Sequence, residues 1–456
     1  LHQKRRRRRR RHSNQMITER PRGKNFRWVV CGLLFFSVTI NYIDRQIIGL
    51  LKLPLSKELG WSDTDYANIA AGFQYAYAFG YLFGGRAMDW LGVKLGLPIS
   101  VFLWSLACAA HGVMRSVTGF MGARIALGIS EGGNFPGAIK TVAEWFPAKE
   151  RALATGIFNS GTNIGAIVCP LAVPWMATVW GWQATFFLTG LLGLVWIGAW
   201  SLIYEVPEKH RHLSEEERHY ILDGQPSVVS DTPDEPRPGT SGFGSAWAAT
   251  GRTFAEWIKL LRYRPVWAYL IAGILAGPIW GFYLFFLPDF LQKRYHLKLT
   301  EIGPPIAVFY FLASFGGVAG GWLSSKLIGR GWSINAARKT SLLICAICVV
   351  PVFLAPYMTN LWLTVVIVGV AGSAHQGWSA NLYSFVSDTM RKQTVGSVVG
   401  MGGFVSYFTG GVVAQLVGYL LRTTGSYGSI FAGASLMYVI SLTALHLLVP
   451  KIEPHA

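Results

Sequence analysis

The chain has 456 residues, of which 52% are hydrophobic and 14% charged, and its mean hydropathy is +0.35. A soluble globular protein this apolar would lack the polar side chains needed to cover its surface. The net charge of +18 is weak evidence for a nucleic-acid partner, because seven consecutive arginines at 5–11 supply over a third of it. We therefore expect an all-α polytopic membrane protein in a lipid bilayer, with no nucleic-acid partner.

Twelve apolar runs follow one another along the chain, each long enough to cross a bilayer as a helix. In the first half they occupy 28–50, 65–84, 95–114, 118–140, 152–176 and 182–204. In the second half they occupy 265–290, 303–328, 339–356, 360–385, 395–420 and 428–449. This arrangement predicts two six-helix bundles that flank a central pathway.

The predicted bundles, 28–204 and 261–450, are joined by a polar linker at 205–260 and flanked by a basic, disordered tail at 1–27 and a short tail at 451–456. In the linker, Ser214 and Glu217 form a capping box that predicts a short helix, and 224–245 is predicted to be disordered. Short-loop lysines and arginines concentrate on the linker side, so both termini should be cytoplasmic in a cell membrane. The five cysteines show no metal-binding spacing; we expect no metal, no cofactor and a monomer.

Four charged residues lie within apolar runs, where a charge costs about 2.5–3.5 kcal/mol and usually lines a polar pathway or pairs with another charge. Arg124 and Glu131 are seven positions apart and share one helix face; a structural ion pair is the alternative. Asp44 and Arg45 end the first run; an interfacial pair that reaches water is the alternative. If all four face one cavity, they suit a proton-coupled anion carrier, because arginine grips carboxylates and an enclosed carboxylate can exchange protons near neutral pH.

Uncharged polar and aromatic residues in other runs are candidate ligands for a polyhydroxylated substrate, because they donate or accept hydrogen bonds. These candidates are Tyr42, Tyr77, Asn159, Asn163, Gln376, Trp378 and Asn381. Packing competes with this interpretation for the aromatic residues, and hydrogen bonding between helices competes with it for Gln376 and Asn381. His375 is explained equally well as a hydrogen-bonded core histidine.

Glycine pairs at four-residue spacing predict close helix packing rather than a site. The pairs are Gly80 and Gly84, Gly161 and Gly165, Gly316 and Gly320, and Gly396 and Gly400.

The segment Gly85–Lys94 resembles the loop signature of the major facilitator superfamily, and 321–326 is a weaker echo in which Ser325 replaces the usual acid. More specifically, the chain resembles the anion:cation symporter family and, within it, the hexuronate transporters, from about Trp28 to Pro454. The matching segments are 41–45, 124–136, 144–151, 156–161, 329–333, 375–381 and 396–400.

This resemblance implies the major facilitator fold and roles for individual residues. Arg45 and Tyr77 would contact the substrate carboxylate. Asp44 and Glu131 would be the protonatable pair, and Arg124 would respond to their charge. The implied activity is proton-driven uptake of a sugar acid, most closely a hexuronate.

The resemblance also implies a cytoplasmic latch between Asp89 and Lys94. One departure bears on the substrate: Gly277 and Gly281 stand where hexuronate members carry an acid and an aromatic residue. Another organic anion, such as an aldonate, an aldarate or an aromatic acid, is therefore the alternative substrate. The chain carries no convergent nucleophile, metal cluster or cofactor motif, so we do not expect an enzyme.

Overall fold

A computed structural model describes residues 25–211, 213–223 and 257–452. The predicted disordered segment at 224–245 and the arginine run lie outside these residues. The described part of the chain is helical and contains no strand. In the first half the helices are α1 (Phe26–Leu50), α2 (Lys52–Leu59), α3 (Asp63–Leu91), α4 (Val93–His111), α5 (Val117–Glu131), α6 (Asn134–Trp145) and α7 (Ala148–Ile203).

After the linker helix α8 (Glu215–Asp223), the second half begins. Its helices are α9 (Arg264–Tyr295), α10 (Gly303–Gly329), α11 (Ile334–Val349), α12 (Leu361–Thr389), α13 (Lys392–Thr424) and α14 (Gly428–Leu448). Short 3-10 helices lie at Leu299–Glu301 and Val350–Tyr357. Gly181, with φ of 84°, divides α7 into two helical parts.

Eight helical stretches in the described part of the chain are long and apolar enough to cross a membrane. Nine of the twelve predicted spans fall within these eight stretches. The stretch Leu153–Ile203 holds two of the nine, because Gly181 divides it. The other three spans are α3, α5 with α6, and α12. These helices carry many of the candidate polar residues, whose side chains lower their mean hydropathy.

The outer surface carries many exposed apolar side chains, among them Leu202 (89% exposed), Val318 (77%) and Leu447 (72%). Such a surface is expected of helices that face lipid rather than water. The chain is therefore a multi-pass membrane protein.

Three of the four glycine pairs allow the backbones of two helices to approach closely. A Cβ at Gly84 would lie 2.7 Å from the Cα of Gly133, and one at Gly320 would lie 2.5 Å from the Cα of Gly377. Gly161 and Gly165 meet α1 in the same way. Gly396 and Gly400 face open space, so the packing prediction is wrong for that pair.

The linker helix α8 is bound to the base of the first half. Its carboxylate Glu217 accepts hydrogen bonds from the backbone N–H groups of Phe26 and Arg27 and from the Arg27 guanidinium at 2.8 Å. Ser214 caps the helix by accepting from the Glu217 N–H, but the Glu217 side chain serves α1 instead of the capping box. We call this end of the molecule the linker side and the opposite end the far side.

Candidate functional site

A cavity of about 520 Å³ lies between the two halves, a size typical of small-molecule sites. Its lining comes from the middle and the linker-side portions of α1, α3, α6, α7, α9, α12 and α13. Toward the far side the halves are in contact: a Cβ on Gly49 of α1 would lie 2.9 Å from the Leu284 carbonyl oxygen of α9. The cavity is thus bounded by both halves, as a central pathway requires.

Arg45 is the cationic side chain of this cavity. It projects from α1, is 4% exposed, and its Nε donates to Oε2 of Glu131 at 2.7 Å. Its guanidinium carbon lies 4.1 Å from the ring centroid of Tyr77 and 5.2 Å from that of Tyr42. Two aromatic rings and one carboxylate therefore fix a guanidinium that reaches the cavity surface, which is an arrangement able to bind an anion.

Asp44, Arg124 and Glu131 lie behind Arg45, inside the first half, and are completely buried. None of the three lines the cavity. We call these three residues and Arg45 the inner charge cluster. The sequence prediction that all four face one cavity is wrong in this state: Arg45 alone reaches it and connects it to the buried carboxylates.

Hydrogen bonding within the inner charge cluster is incomplete. All three guanidinium nitrogens of Arg124 are buried without a hydrogen-bond partner, as are Oδ2 of Asp44 and Oε1 of Glu131. The other Asp44 oxygen accepts from the Cys108 thiol at 3.3 Å. A buried polar group without a hydrogen-bond partner is costly. An added proton, or a rearrangement that pairs these groups, would therefore stabilise the cluster.

Six of the predicted substrate ligands line the cavity: Tyr42, Arg45, Tyr77, Asn159, Gln376 and Trp378. Asn163 does not, and Thr162 lines the wall beside Asn159 instead. Asn381 is also excluded, because it is fully buried and donates to the carbonyl oxygens of Gly320 and Gly377 at 3.1 and 2.9 Å. For Asn381 the alternative of hydrogen bonding between helices is correct.

His375 lies at the cavity wall but is engaged in packing. Its Nδ1 shares a hydrogen bond with the Tyr438 hydroxyl at 2.6 Å, and its ring stacks on Trp280 at 5.3 Å between centroids. These contacts correspond to the alternative of a hydrogen-bonded core histidine.

More than half of the polar and aromatic residues of the cavity wall were not predicted from the sequence. The additional polar and aromatic lining residues are Asn41, Gln74, Tyr81, Asn134, Tyr269, Trp280, Ser379, Tyr383, Ser406 and Tyr407. Helical spacing would have found some of them: Gln74 and Tyr81 lie three and four residues from Tyr77 and share its face. The residues of α13 carry no such signal, because no candidate ligand was predicted on that helix.

A second set of charged residues, which the sequence did not predict, joins the halves at the far side: Lys52 and Asp289 are buried, Asp63 is half-buried and Lys293 is exposed. Lys52 of α2 pairs at 2.6 Å with Asp63 of α3 and at 2.6 Å with Asp289 of α9. Lys293 lies 3.0 Å from Asp63 and 3.2 Å from Asp289, and the Tyr427 hydroxyl donates to Asp289. We call Lys52, Asp63, Asp289 and Lys293 the far-side charge cluster.

The predicted latch residues each have another partner. Asp89 pairs with Lys140 at 2.8 Å, and Lys94 pairs with Glu205 at 2.6 Å; the salt bridges of the described residues do not join Asp89 to Lys94. The Lys94 ammonium, by donating to Glu205, lowers the pKa of that carboxyl below its usual range. The Asp89 contact joins α3 to α6, and the Lys94 contact joins α4 to the start of the linker.

The echo of the latch in the second half has a different charge contact. Arg338 of α11 pairs with Asp388 of α12 at 2.8 Å and donates to the Ser324 hydroxyl. Lys326, beside Ser325, lies over the Trp322 ring at 4.2 Å from its centroid. An acid at position 325 is therefore not needed to pair α11 with the neighbouring helices.

Gly277 and Gly281 lie where neighbouring side chains leave no space for a Cβ. Both line the cavity. A Cβ on Gly277 would lie 2.7 Å from the Cβ of Ser406, and one on Gly281 would overlap the Gln74 amide. These glycines leave room for polar side chains from α13 and α3.

Comparison with known proteins places the chain among transporters. The sequence model of the Major Facilitator Superfamily matches residues 34–414. A hexuronate transporter of Escherichia coli (strain K12) is 29% identical over 411 residues, 90% of each chain. A galacturonate transporter of Dickeya chrysanthemi is 32% identical over 321 residues, 70% of this chain and 88% of that one. A probable L-galactonate transporter of Escherichia coli (strain K12) is 26% identical over 93% of this chain and 91% of the relative.

Solved structures agree on the fold. A D-xylose–proton symporter superposes with a TM-score of 0.68 at 12% identity, over 94% of this chain and 98% of that one. A bacterial homologue of the human lysosomal transporter Spinster, in an inward-facing and occupied conformation, gives 0.64 at 18% identity, over 93% and 96%. At these identities the likeness concerns architecture, and it matches the two bundles described above.

Proposed function

The chain belongs to the major facilitator superfamily, and on that premise we propose that it imports a sugar-acid anion, a hexuronate such as galacturonate or glucuronate, together with protons by alternating access. It is a transporter and not an enzyme, as are the relatives it matches. The names of those relatives, which include hexuronate, galacturonate and galactonate carriers, support the substrate class.

One observation carries the proposal: Arg45 belongs both to the cavity and to the inner charge cluster. Its Nε is bound to Glu131 at 2.7 Å, while its side chain lines the cavity. A substrate carboxylate that enters the cavity competes with Glu131 for this guanidinium. Protonation of Glu131 weakens the internal pair and leaves Arg45 available to the anion. Proton and substrate binding therefore favour each other at one side chain.

Asp44 and Arg124 extend this exchange into the first half. Asp44, beside the Cys108 thiol, is the second proton acceptor, and the unpartnered Arg124 guanidinium stabilises whichever carboxylate is ionised. Neutralising a buried carboxylate changes the balance of charge around Arg124. Such a change favours one access state over the other only if the two states bind the proton unequally. We propose that they do, because the cluster is buried in this state.

The hydroxyl groups of the sugar acid would be bound by the uncharged part of the wall. Asn159 of α7 and Gln376 of α12 face the cavity from opposite halves, so a ligand that contacts both draws the halves together. Trp280 lines the cavity and supplies an apolar surface of the kind that packs against a sugar ring.

In this state the cavity is bounded on the far side by the far-side charge cluster and by the contacts of α1 with α9. We propose that the linker side is cytoplasmic and that the protein lies in the cell membrane, because short-loop lysines and arginines favour that side. The pairs of Asp89 with Lys140 and of Lys94 with Glu205 would steady the linker-side ends of the first half.

The test is uptake of labelled galacturonate and glucuronate into proteoliposomes, with and without an inward proton gradient. We expect accumulation driven by the gradient and competed by unlabelled hexuronate. No uptake of either hexuronate, together with gradient-driven uptake of labelled galactonate or glucarate, would keep the carrier and replace its substrate.

A further inference from the structure

Gln74 of α3 crosses from the first half of the molecule into the second. Its side chain lies between Gly281 of α9 and Gly410 of α13: a Cβ on Gly410 would come 2.8 Å from the Gln74 Nε2, and one on Gly281 would come closer still. Either substitution would displace the amide. Two glycines of the second half thus form a slot for one polar side chain of the first half, which we call the Gln74 slot.

The amide held in this slot is enclosed but reaches the cavity. Gln74 is 4% exposed and lines the cavity wall. The hydrogen bonds of the described residues include none made by its side chain. Its neighbour at the same interface differs, since the Tyr75 hydroxyl donates to Gln415 of α13 at 2.9 Å. A primary amide offers two donors and an acceptor, and the Gln74 amide, which lines the cavity, has these groups available to a ligand.

Gln74 also lies close to the anion-binding side chain. It precedes Tyr77 by three residues on α3, so the two share a helix face with a rise of about 4.5 Å between them. The Tyr77 ring in turn lies 4.1 Å from the Arg45 guanidinium carbon. A polyhydroxylated acid whose carboxylate is at Arg45 therefore has oxygen atoms within reach of this amide.

We propose that Gln74 is a substrate-contacting residue that recognises the hydroxyl groups of the sugar acid, and that Gly281 and Gly410 hold its amide toward the cavity. This inference rests on the proposed function. The backbone of Gln74 belongs to the first half and the walls of its slot to the second, so separation of α3 from α9 and α13 withdraws the amide. Gln74 thus binds the substrate in the state closed at the far side, which gives the ligand unequal affinity for the two states.

The experiment is a binding titration of the purified protein with galacturonate, measured by isothermal titration calorimetry. Gln74→Leu keeps the size of the side chain and removes its hydrogen bonds. We expect about tenfold weaker binding, the size of one hydrogen bond lost in an enclosed site. Gly281→Ala, which displaces the amide but keeps residue 74, should weaken binding in the same direction.

Two controls separate recognition from packing. Tyr75→Phe removes a hydrogen bond across the same interface, away from the cavity lining, and should leave the affinity unchanged. Lactate, a short acid without the sugar hydroxyl chain, should bind the wild type and Gln74→Leu equally. If the wild type binds galacturonate and both Gln74→Leu and Gly281→Ala bind it equally well, the inference is overturned and the proposed function stands. If the wild type binds neither galacturonate, galactonate nor glucarate, the proposed function fails and the inference with it.

Discussion

The far-side charge cluster and the inner charge cluster are built differently. The far-side charge cluster joins the halves, and its two lysines and two aspartates all pair with one another. The inner charge cluster lies within one half, and its Arg124 nitrogens and one oxygen each of Asp44 and Glu131 have no partner. Both clusters pair basic with acidic side chains, but the far-side charge cluster leaves only one buried atom, Oδ1 of Asp289, without a hydrogen-bond partner.

This difference indicates two roles. Breaking the pair of Lys52 and Asp289 is costly, because each buried charge would be left without compensation. It is suited to hold the halves together at the far side. A cluster with unpaired groups responds readily to an added proton or anion. It is suited to sense the substrate, and Arg45 is the residue through which it does so.

Removing the contact between cavity and inner charge cluster should have the largest effect. Arg45→Lys keeps the charge but loses the planar guanidinium that bonds Glu131 through Nε. We expect the initial rate of labelled galacturonate uptake to fall about 100-fold, in line with the cost of disrupting a buried charged pair. Arg115→Lys is the matched control: Arg115 donates to the carbonyl oxygens of Gly112 and Met114 outside the cavity, and uptake should be preserved. Equal uptake rates for Arg45→Lys and the wild type would show that transport does not need the Arg45 guanidinium.

Breaking the far-side charge cluster should shift the conformational equilibrium rather than abolish binding. Lys52→Met leaves Asp289 with a weaker partner in Lys293, and we expect the population open at the far side to rise at least about tenfold. Spin labels on the exposed residues Lys57 and Lys298 report this as a longer distance in pulsed electron paramagnetic resonance.

Lys293→Met sharpens the same comparison. Lys293 is 40% exposed at its side chain and lies farther from both aspartates than Lys52 does. Its loss should give a smaller shift. If Lys52→Met leaves the distance distribution unchanged, the far-side charge cluster does not hold the halves together.

The smallest effect is expected at the linker-side pair of Lys94 and Glu205. Because Lys94 lowers the pKa of Glu205, ionised Glu205 stabilises the fold above its usual pKa, and this contribution disappears as pH falls through the lowered value. The pair is partly exposed and screened by solvent, so Glu205→Gln should cost less than about 1 kcal/mol at pH 7. Thermal unfolding of the wild type and the variant should differ slightly at pH 7 and converge in acid. A gap that widens in acid would contradict this sign.

Features that depend on a single helix could be predicted from the sequence. Apolar runs located the spans, and the charges within them identified Asp44, Arg45, Arg124 and Glu131 as unusual. Partners from distant helices had no such signal. Lys52 and Asp289 are separated by 237 positions, and nothing in either segment indicates that they meet.

Asn381 and Gln74 illustrate the same limit at the cavity. Both are amides in apolar helices, but Asn381 faces α10 and bonds two carbonyl oxygens, whereas Gln74 enters a slot formed by two glycines of the other half. Residue type and helical spacing cannot distinguish these environments, because each is created by a neighbouring helix.

The most direct test of the central claim, that Arg45 and Glu131 join substrate to proton, uses Glu131→Gln in proteoliposomes. Two quantities are measured side by side: exchange of labelled for unlabelled galacturonate without a gradient, and accumulation driven by an inward proton gradient. Because glutamine resembles the protonated carboxyl, we predict that exchange persists while gradient-driven accumulation is lost. Accumulation equal to that of the wild type would contradict the account.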